Sequence, residues 1–208
     1  MLIRWLMALI TLTMVGTAMA TEEPKYEVVG KFGDIELRLY EPMIVAETWV
    51  DGSMDDASGR GFRLIADYIF GNNTAVAGGS REIPMTAPVT MEPESKKISM
   101  TAPVTMEEQE GRWRVHFVMP SLYTMETLPA PNNDAVKLRE IPEKYYAVIQ
   151  FSGFAGEEKV AKKTAELMAF LAERELEPLS APELARYDPP WTLPFFRRNE
   201  VMVAYAAQ

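Results

Sequence analysis

The sequence predicts one α+β domain, in which an antiparallel sheet curls into a distorted barrel and two helices flank it. Most apolar runs in the 208-residue chain are short and alternate with polar residues, as half-buried strands do. Only two segments show the 3.6-residue period of an amphipathic helix. The order strand, strand, helix, strand, strand occurs before Met119 and again after Val136, which indicates an internal duplication.

Turn residues separate the predicted strands. Glycine, proline, asparagine and aspartate stand between the apolar runs, and two Pro-rich segments, residues 128–131 and 188–194, read as rigid loops. The sequence therefore predicts strands at residues 26–29, 35–40, 44–50, 83–91, 98–106, 113–119, 136–141, 145–151, 183–187 and 201–205.

Two helices are predicted between these strands. The first is capped by Asp55, Asp56 or Ser58 and ends at residues 71–73, Gly-Asn-Asn. The second opens at Gly156, with acidic residues in its first turn, and ends near Glu175. The faces expected to pack on the sheet are Phe62, Ile65, Ala66 and Ile69 in the first helix, and Val160, Thr164, Leu167 and Leu171 in the second.

Residues 83–92 and 98–107 form a tandem repeat, each containing Met-Thr-Ala-Pro-Val-Thr-Met-Glu. Residues 93–97 are polar, so the two copies are predicted to pair as a hairpin. In an extended strand Met85 and Met91 share one face, and the second copy repeats the pattern. These methionines either fill the core or form a thioether site for Cu(I). Pro88 and Pro103 cannot donate to a ladder, which predicts edge positions or bulges.

The first twenty residues resemble a secretory leader rather than folded structure. Arg4 provides a positive start, residues 5–15 are apolar, and Ala18 and Ala20 have the spacing of a cleavage site. No later segment approaches the roughly 20 apolar residues needed to span a membrane. We therefore expect cleavage near Ala20, a single domain over residues 21–208, and a periplasmic or secreted protein.

Composition excludes several function classes. The chain has one histidine and no cysteine, which rules out His/Cys zinc sites, iron–sulfur clusters, disulfides and acylation on cysteine. Its net charge of −9 disfavours nucleic acid as a partner. Neither a phosphate-binding loop nor a GxSxG nucleophile elbow is present.

His116 lies within the strand predicted at residues 113–119. The alternation places it with Arg114 and Val118, whereas Trp113, Val115, Phe117 and Met119 form the apolar, core-facing side. His116 is therefore expected to be solvated or hydrogen-bonded. The alternative is axial ligation of a heme iron. A Ser-His-Asp triad would have to use this mid-strand residue.

Four segments, in order, resemble the SOUL heme-binding protein family. The repeated Met-Thr-Ala-Pro-Val-Thr is similar to the family's hallmark, and residues 61–72 are similar to its first helix. Residues 113–120 with 128–132 resemble its strand followed by a Pro-rich segment, and residues 187–194 with 197–201 its C-terminal signature. Together they span most of residues 21–208.

The resemblance implies a distorted barrel with two helices, and heme or free porphyrin bound in a shallow apolar groove between the first helix and the C-terminal loop. The family's pocket positions fall on Phe62, Ile65, Ala66 and Tyr187. Ile69 and Trp191 are added from helical phase and proximity in sequence. Gly59 and either Thr192 or Leu193 stand where animal members have cations that bind propionates, so Arg60 and Arg63 are the candidate substitutes. The histidine that ligates iron in some members has no counterpart.

The leading hypothesis is therefore an exported, non-catalytic protein that binds heme or another tetrapyrrole. The alternative is a protein that binds or hydrolyses a small molecule, because the family's fold resembles that of transcriptional effector-binding domains and fold does not fix function. A hydrolase would need a carboxylate or tyrosine in the groove, for which Glu47 and Tyr68 are candidates. A third hypothesis is a pure interaction role through the Pro-rich loops.

Overall fold

The computed structural model describes residues 21–93 and 112–207. The predicted leader, residues 1–20, and the second copy of the repeat lie outside the described residues. The elements in chain order are β1 (Tyr26–Phe32), β2 (Ile35–Tyr40), β3 (Met43–Asp51), α1 (Met54–Ile69), β4 (Asn73–Thr74), β5 (Val89–Pro93), β6 (Arg112–Val118), β7 (Ala130–Pro131), β8 (Lys137–Ile141), β9 (Lys144–Ser152), α2 (Glu157–Glu173), β10 (Glu183–Arg186), a short 3-10 helix (Pro194–Phe196) and β11 (Arg198–Ala204).

Nine antiparallel strands form one curled sheet in the order β1-β2-β9-β11-β10-β5-β6-β3-β8, and β4 pairs with β7 in a separate ribbon. The predicted α+β class is confirmed. Within the described part of the chain, β1 and β8 are edge strands, so the barrel is an open half-barrel. The order β8-β3-β6-β5 mirrors β2-β9-β11-β10, with α1 following β3 and α2 following β9, as a duplication requires.

Both helices pack on the same face of the sheet, here called the outer face. Ile65, Ala66 and Ile69 are buried there, as the periodicity predicts.

The N-cap of α1 is Ser53 rather than the three predicted residues, because its hydroxyl accepts a hydrogen bond from the backbone N–H of Asp56 at 3.3 Å. No helix among residues 21–93 and 112–207 is long and apolar enough to cross a membrane.

Gly61 determines how closely α1 approaches the sheet. A Cβ atom at this position would lie 2.6 Å from both Cβ and Cγ2 of Val115 in β6. Real Cβ atoms do not come so near a neighbouring side chain, so only glycine permits this packing of helix on strand. The contact also shows that Val115 faces the helix, and therefore that Arg114 and His116 point away from it.

The opposite face of the sheet, here called the inner face, is also largely shielded from solvent because the sheet curls around it. Its apolar part includes Tyr40 of β2, Tyr146 of β9 and Met202 of β11, which pack together. Buried ionisable side chains lie on the same face and are Arg38, His116, Glu183 and Glu200. The inner face is therefore a second interior, with a polar composition.

The predicted hairpin requires the second copy of the repeat, which lies outside the described residues. In the first copy only residues from Val89 onward are in a strand, and β5 pairs with β6 on one side and with β10 on the other. Met85 precedes the strand and is 36% exposed, whereas Met91 is 1% exposed in the core. The prediction that Met85 and Met91 share a face is therefore wrong, because the extended period begins only after Pro88.

Candidate functional site

The C-terminal loop, residues 188–197, is held rigid by hydrogen bonds at its base and within it. The backbone N–H of Arg198 donates to Asp188 Oδ2 at 2.6 Å, and that of Tyr187 donates to the Arg198 carbonyl at 3.2 Å. Inside the loop, Arg197 Nε donates to the Thr192 carbonyl at 2.8 Å. Prolines further restrict the backbone. The loop therefore presents its side chains in a fixed arrangement.

Those side chains are apolar and exposed to solvent. Trp191 is 82% exposed, and the rings of Phe195 and Phe196 lie 4.5 Å apart between centroids. The Arg197 guanidinium is 4.9 Å from the ring of Phe154, which places this exposed phenylalanine beside the loop. We call this set the aromatic surface; its members are Phe154, Trp191, Leu193, Phe195 and Phe196. Exposed apolar clusters of this kind mark binding sites.

Arg186 ties the base of the C-terminal loop to the first turns of α1. Its Nη1 donates to Ser58 Oγ at 3.0 Å and its Nη2 to Asp55 Oδ1 at 2.9 Å. The same Nη2 donates to the carbonyl of Ala155, next to Phe154, at 3.0 Å. One guanidinium thus joins α1, the loop after β9 and the C-terminal loop. Sequence reasoning missed Arg186, although its place just before Tyr187 and the Pro-rich loop was a usable signal.

The predicted pocket residues of α1 lie mainly in the core. Ile65, Ala66 and Ile69 are buried against the sheet, so the α1 face assigned to the groove is the face that packs on the outer face of the sheet. Phe62 differs, because it is 39% exposed and its ring lies 5.6 Å from that of Phe117. Of the four, only Phe62 presents substantial surface to a ligand.

Tyr187 lies on the inner face, opposite α1. Its hydroxyl donates to Glu200 Oε2 at 2.6 Å, and the Arg198 guanidinium lies 3.6 Å from its ring centroid. Burial, and then the Glu200 carboxylate, raise the pKa of the Tyr187 phenol. The sheet therefore separates Tyr187 from Ile65, and the two do not line a common groove with Phe62.

Arg60 and Arg63 line a polar cleft of about 370 Å³ at the N-terminal half of α1, together with Asp55, Asp56 and Gly59. Asp55 is also the residue that Arg186 contacts. The two cations of the cleft, Arg60 and Arg63, therefore lie near the point where Arg186 connects α1 to the C-terminal loop. Two aspartates in the same cleft partly offset their charge.

His116 is buried on the inner face rather than solvated. Its Nδ1 has no hydrogen-bond partner. Burial, together with the nearby Arg114 and Arg139, lowers the pKa of His116 to about 3. The prediction failed because the curl of the sheet closes the second face of β6. Across the sheet from α1, His116 is also misplaced to ligate an iron held beside that helix.

The two candidate hydrolytic residues are engaged in structural contacts. The Tyr68 hydroxyl donates to the Pro129 carbonyl at 2.9 Å, and the residue is fully buried. Glu47 Oε2 accepts from Arg139 Nε at 2.8 Å. Tyr68 is on α1, which packs on the outer face of the sheet, whereas the Glu47 side chain on β3 points to the inner face. The two side chains therefore do not share a site. Among the described residues, no group of three or more His, Asp or Glu side chains is arranged to hold a metal.

A cavity of about 720 Å³ lies elsewhere, between the N-terminal segment and the ends of β3, β6 and β8. Val118, Ile141 and Met43 form an apolar floor, and Glu22 accepts a hydrogen bond from the backbone of Ser121 at 2.9 Å across it. None of the predicted site residues lines this cavity.

Comparison with known proteins gives a family match and a set of structural neighbours. The family model described as SOUL heme-binding protein matches residues 21–204. The C-terminal domain of EcmrR aligns with a TM-score of 0.57 and 12% identity, covering 88% of this chain and 99% of that one. A hydrolase from Listeria innocua aligns with a TM-score of 0.54 and 12% identity, covering 86% of this chain and 94% of that one. At these identities the neighbours establish the fold alone. No curated protein sequence matches the chain.

Proposed function

The chain belongs to the SOUL heme-binding protein family, and on this premise we propose that it binds a tetrapyrrole, heme or free porphyrin, without catalysing a reaction on it. The binding region of this proposal lies between α1 and the C-terminal loop. It combines the aromatic surface, the exposed ring of Phe62 and the cations of the α1 cleft.

The observation that carries the proposal is the exposure of the aromatic surface. A macrocycle presents a large flat apolar face, and burying it against aromatic rings is favourable both through area removed from water and through ring stacking. The hydrogen bonds of residues 188–197 hold the rings in place before a ligand arrives. Such preorganisation reduces the entropy lost on binding.

Positive charge near this surface suits the propionate groups of heme. Arg60 and Arg63 lie along α1, Arg186 sits at the junction of α1 and the loop, and Arg197 is beside Phe154. Arginine binds carboxylates with two parallel hydrogen bonds, which would orient the macrocycle. Arg60 and Arg63 are the candidates for the two cations that the family pattern leads one to expect, because Arg186 and Arg197 already donate to groups of the protein.

In this proposal the iron contributes little to affinity. Among the described residues the single histidine is His116, which lies on the inner face, so the aromatic surface offers no imidazole. A metal-free porphyrin should then bind about as well as heme.

The proposal includes export to the periplasm or beyond after cleavage near Ala20. The N-terminal sequence of the protein recovered from osmotic-shock fluid tests this part, and retention of residues 1–20 in the cytoplasm would contradict it.

Titration of the processed protein with hemin and, separately, with protoporphyrin IX tests the binding. Tryptophan quenching follows both ligands and the Soret band follows hemin. We expect saturable binding with dissociation constants that agree within about tenfold, equivalent to about 1.4 kcal/mol. The matched variant His116→Gln should leave both constants unchanged. Absence of saturable binding to either ligand would overturn the proposal, and loss of hemin binding alone in His116→Gln would overturn its coordination-free form.

The 720 Å³ cavity favours a second candidate, binding of a small hydrophobic molecule. Its volume is within the range of about 300–1,000 Å³ typical of small-molecule sites, and its floor is apolar. A hydrolase among the structural neighbours extends this candidate to hydrolysis, although Glu47 and Tyr68 are both engaged. An apolar fluorescent dye that binds wild type but not Val118→Arg would support this candidate. Equal binding by the two proteins would contradict it.

A further inference from the structure

Three side-chain nitrogens on the inner face are buried without a hydrogen-bond partner: Arg114 Nε, His116 Nδ1 and Arg139 Nη2. Burying a polar atom without a partner costs free energy, and native proteins rarely leave one so. Three on the same face of β6 and β8, the strands on either side of β3, require an explanation.

The three residues are gathered around one carboxylate, that of Glu47. Glu47 lies directly opposite His116 in the pairing of β3 with β6. Arg139 Nε donates to Glu47 Oε2 at 2.8 Å, and Arg114 Nη1 lies 3.9 Å from the same oxygen. Both guanidinium groups therefore approach a single atom, and the imidazole is beside it.

The unpaired atoms are mainly donors. Arg114 uses its Nη atoms toward Glu47 and Glu92, and Arg139 uses its Nε, which leaves Arg114 Nε–H and Arg139 Nη2–H without acceptors. Arginine has no acceptor atoms, so only an electron-rich ligand atom can satisfy them. The neutral imidazole of His116 can offer Nδ1 as a third donor. Glu92 Oε2, which also lacks a hydrogen bond, forms an ion pair with Arg114, so the N–H groups of Arg114 and Arg139 are the donors left for an oxygen-bearing ligand atom.

A ligand can reach the group from the edge of the sheet. β8, which carries Arg139, is the last strand, and the Arg139 side chain is 36% exposed although its Nη2 is buried. The Arg114 side chain is 20% exposed. The guanidinium groups thus connect the solvent at this edge to the buried unpaired atoms.

We propose that Arg114, His116 and Arg139 bind a small oxyanion, the carboxylate or phosphate group of a metabolite-sized ligand, on the inner face. The site lies across the sheet from α1, and its occupancy does not depend on tetrapyrrole binding. Charge-assisted hydrogen bonds from two guanidinium groups supply the affinity.

His116 is the only histidine in the chain, so its imidazole ¹⁵N signals report on this site without ambiguity. The protein expressed from the full-length sequence is titrated with inorganic phosphate and with succinate at constant ionic strength. Saturable shifts with phosphate alone support a phosphoryl ligand, and saturable shifts with succinate alone support a carboxylate ligand. Saturable shifts with both anions support a general oxyanion site. Sodium chloride at the same ionic strength should produce no saturable shift.

Arg139→Gln removes one donor group at a partly exposed position and should weaken binding about tenfold. Lys162→Gln removes one charge from an exposed position on α2 and should leave binding unchanged. The proposal is overturned if neither anion shifts the His116 signals saturably in wild type, a result that requires no variant to fold. It is also overturned if Arg139→Gln and Lys162→Gln bind with equal strength.

Discussion

Arg38 and Glu200 form a two-bond ion pair on the inner face, with Nη1 to Oε2 at 3.0 Å and Nη2 to Oε1 at 3.1 Å. The side chains are 3% and 1% exposed. Arg38 is on β2 and Glu200 on β11, and β9 lies between these strands. Tyr187 also donates to Glu200, and Arg38 donates to Tyr40. The pair therefore joins β2 to β11 across β9, in a site with little access to water.

Arg38→Met should destabilise the protein by about 3–5 kcal/mol, because it leaves the Glu200 carboxylate buried without its cation. The double variant Arg38→Met/Glu200→Met should be more stable than the single one, since no uncompensated charge remains. Urea unfolding followed by tryptophan fluorescence measures both values.

Lys31→Met is the matched control for this pair. Lys31 binds Glu36 at 2.9 Å but is 68% exposed, so its removal should cost no more than about 1 kcal/mol. An Arg38→Met variant as stable as Lys31→Met would contradict the importance given to the buried pair.

Gly61→Ala should destabilise the protein by about 1–3 kcal/mol, because the added Cβ would meet Val115 at 2.6 Å and push α1 from the sheet. Thermal or urea unfolding measures the change.

Gly59→Ala in the same helix should instead increase the stability of the protein. A Cβ there meets only Arg63 Nη1, at 3.6 Å, so alanine should stabilise α1 by about 0.5–1 kcal/mol through its helix propensity. If both variants shift stability in the same direction, the close approach of α1 to β6 is not the reason for glycine at position 61.

Acid should destabilise the protein partly through His116. Its pKa is about 3 when folded, against 6.5 for an unperturbed imidazole, so between these values the unfolded chain binds one more proton than the folded chain. The stability from neutral, buried His116 is thus fully present above pH 6.5 and is lost as the pH falls toward 3. The slope should approach about 1.4 kcal/mol per pH unit.

His116→Gln should remove this slope, which isolates it from the carboxyl groups. Burial raises the pKa of Glu183, whose contribution has the opposite sign and is common to both proteins. Urea unfolding free energies from pH 4 to pH 7 measure the difference. Parallel pH profiles for the two proteins would show that His116 titrates normally in the folded state.

Periodicity in the sequence was sufficient to predict the α+β class, both helices and the core-facing sides of α1 and β6. Val115 and Phe117 lie on the core side of β6 as predicted, and Ile65 and Ile69 on that of α1. Alternation identifies which side chains share a face of a strand, but it does not reveal whether that face meets solvent. The burial of His116, Arg38 and Glu200 was therefore not predicted, because it depends on the curl of the nine strands that enclose them.

The candidate site was predicted only in part for a similar reason. The C-terminal loop follows from the family resemblance and Trp191 was added from its proximity in sequence, and the structure shows Trp191 exposed. Phe154, Phe195 and Phe196 are of a residue type that usually fills cores, and only the tertiary arrangement shows them on the surface. Tyr187 was placed in the groove by the family resemblance, which does not state the direction of its side chain, and the structure shows that side chain on the inner face.

The measurement that tests the central claim most directly is protoporphyrin IX binding by Trp191→Ala beside Trp49→Ala. Both variants remove one partly or fully exposed tryptophan, but only Trp191 belongs to the aromatic surface. The account predicts that Trp191→Ala weakens binding about tenfold or more, through lost stacking and apolar contact, whereas Trp49→Ala binds as wild type does. Equal affinities for wild type and Trp191→Ala would contradict the claim that the C-terminal loop holds the macrocycle.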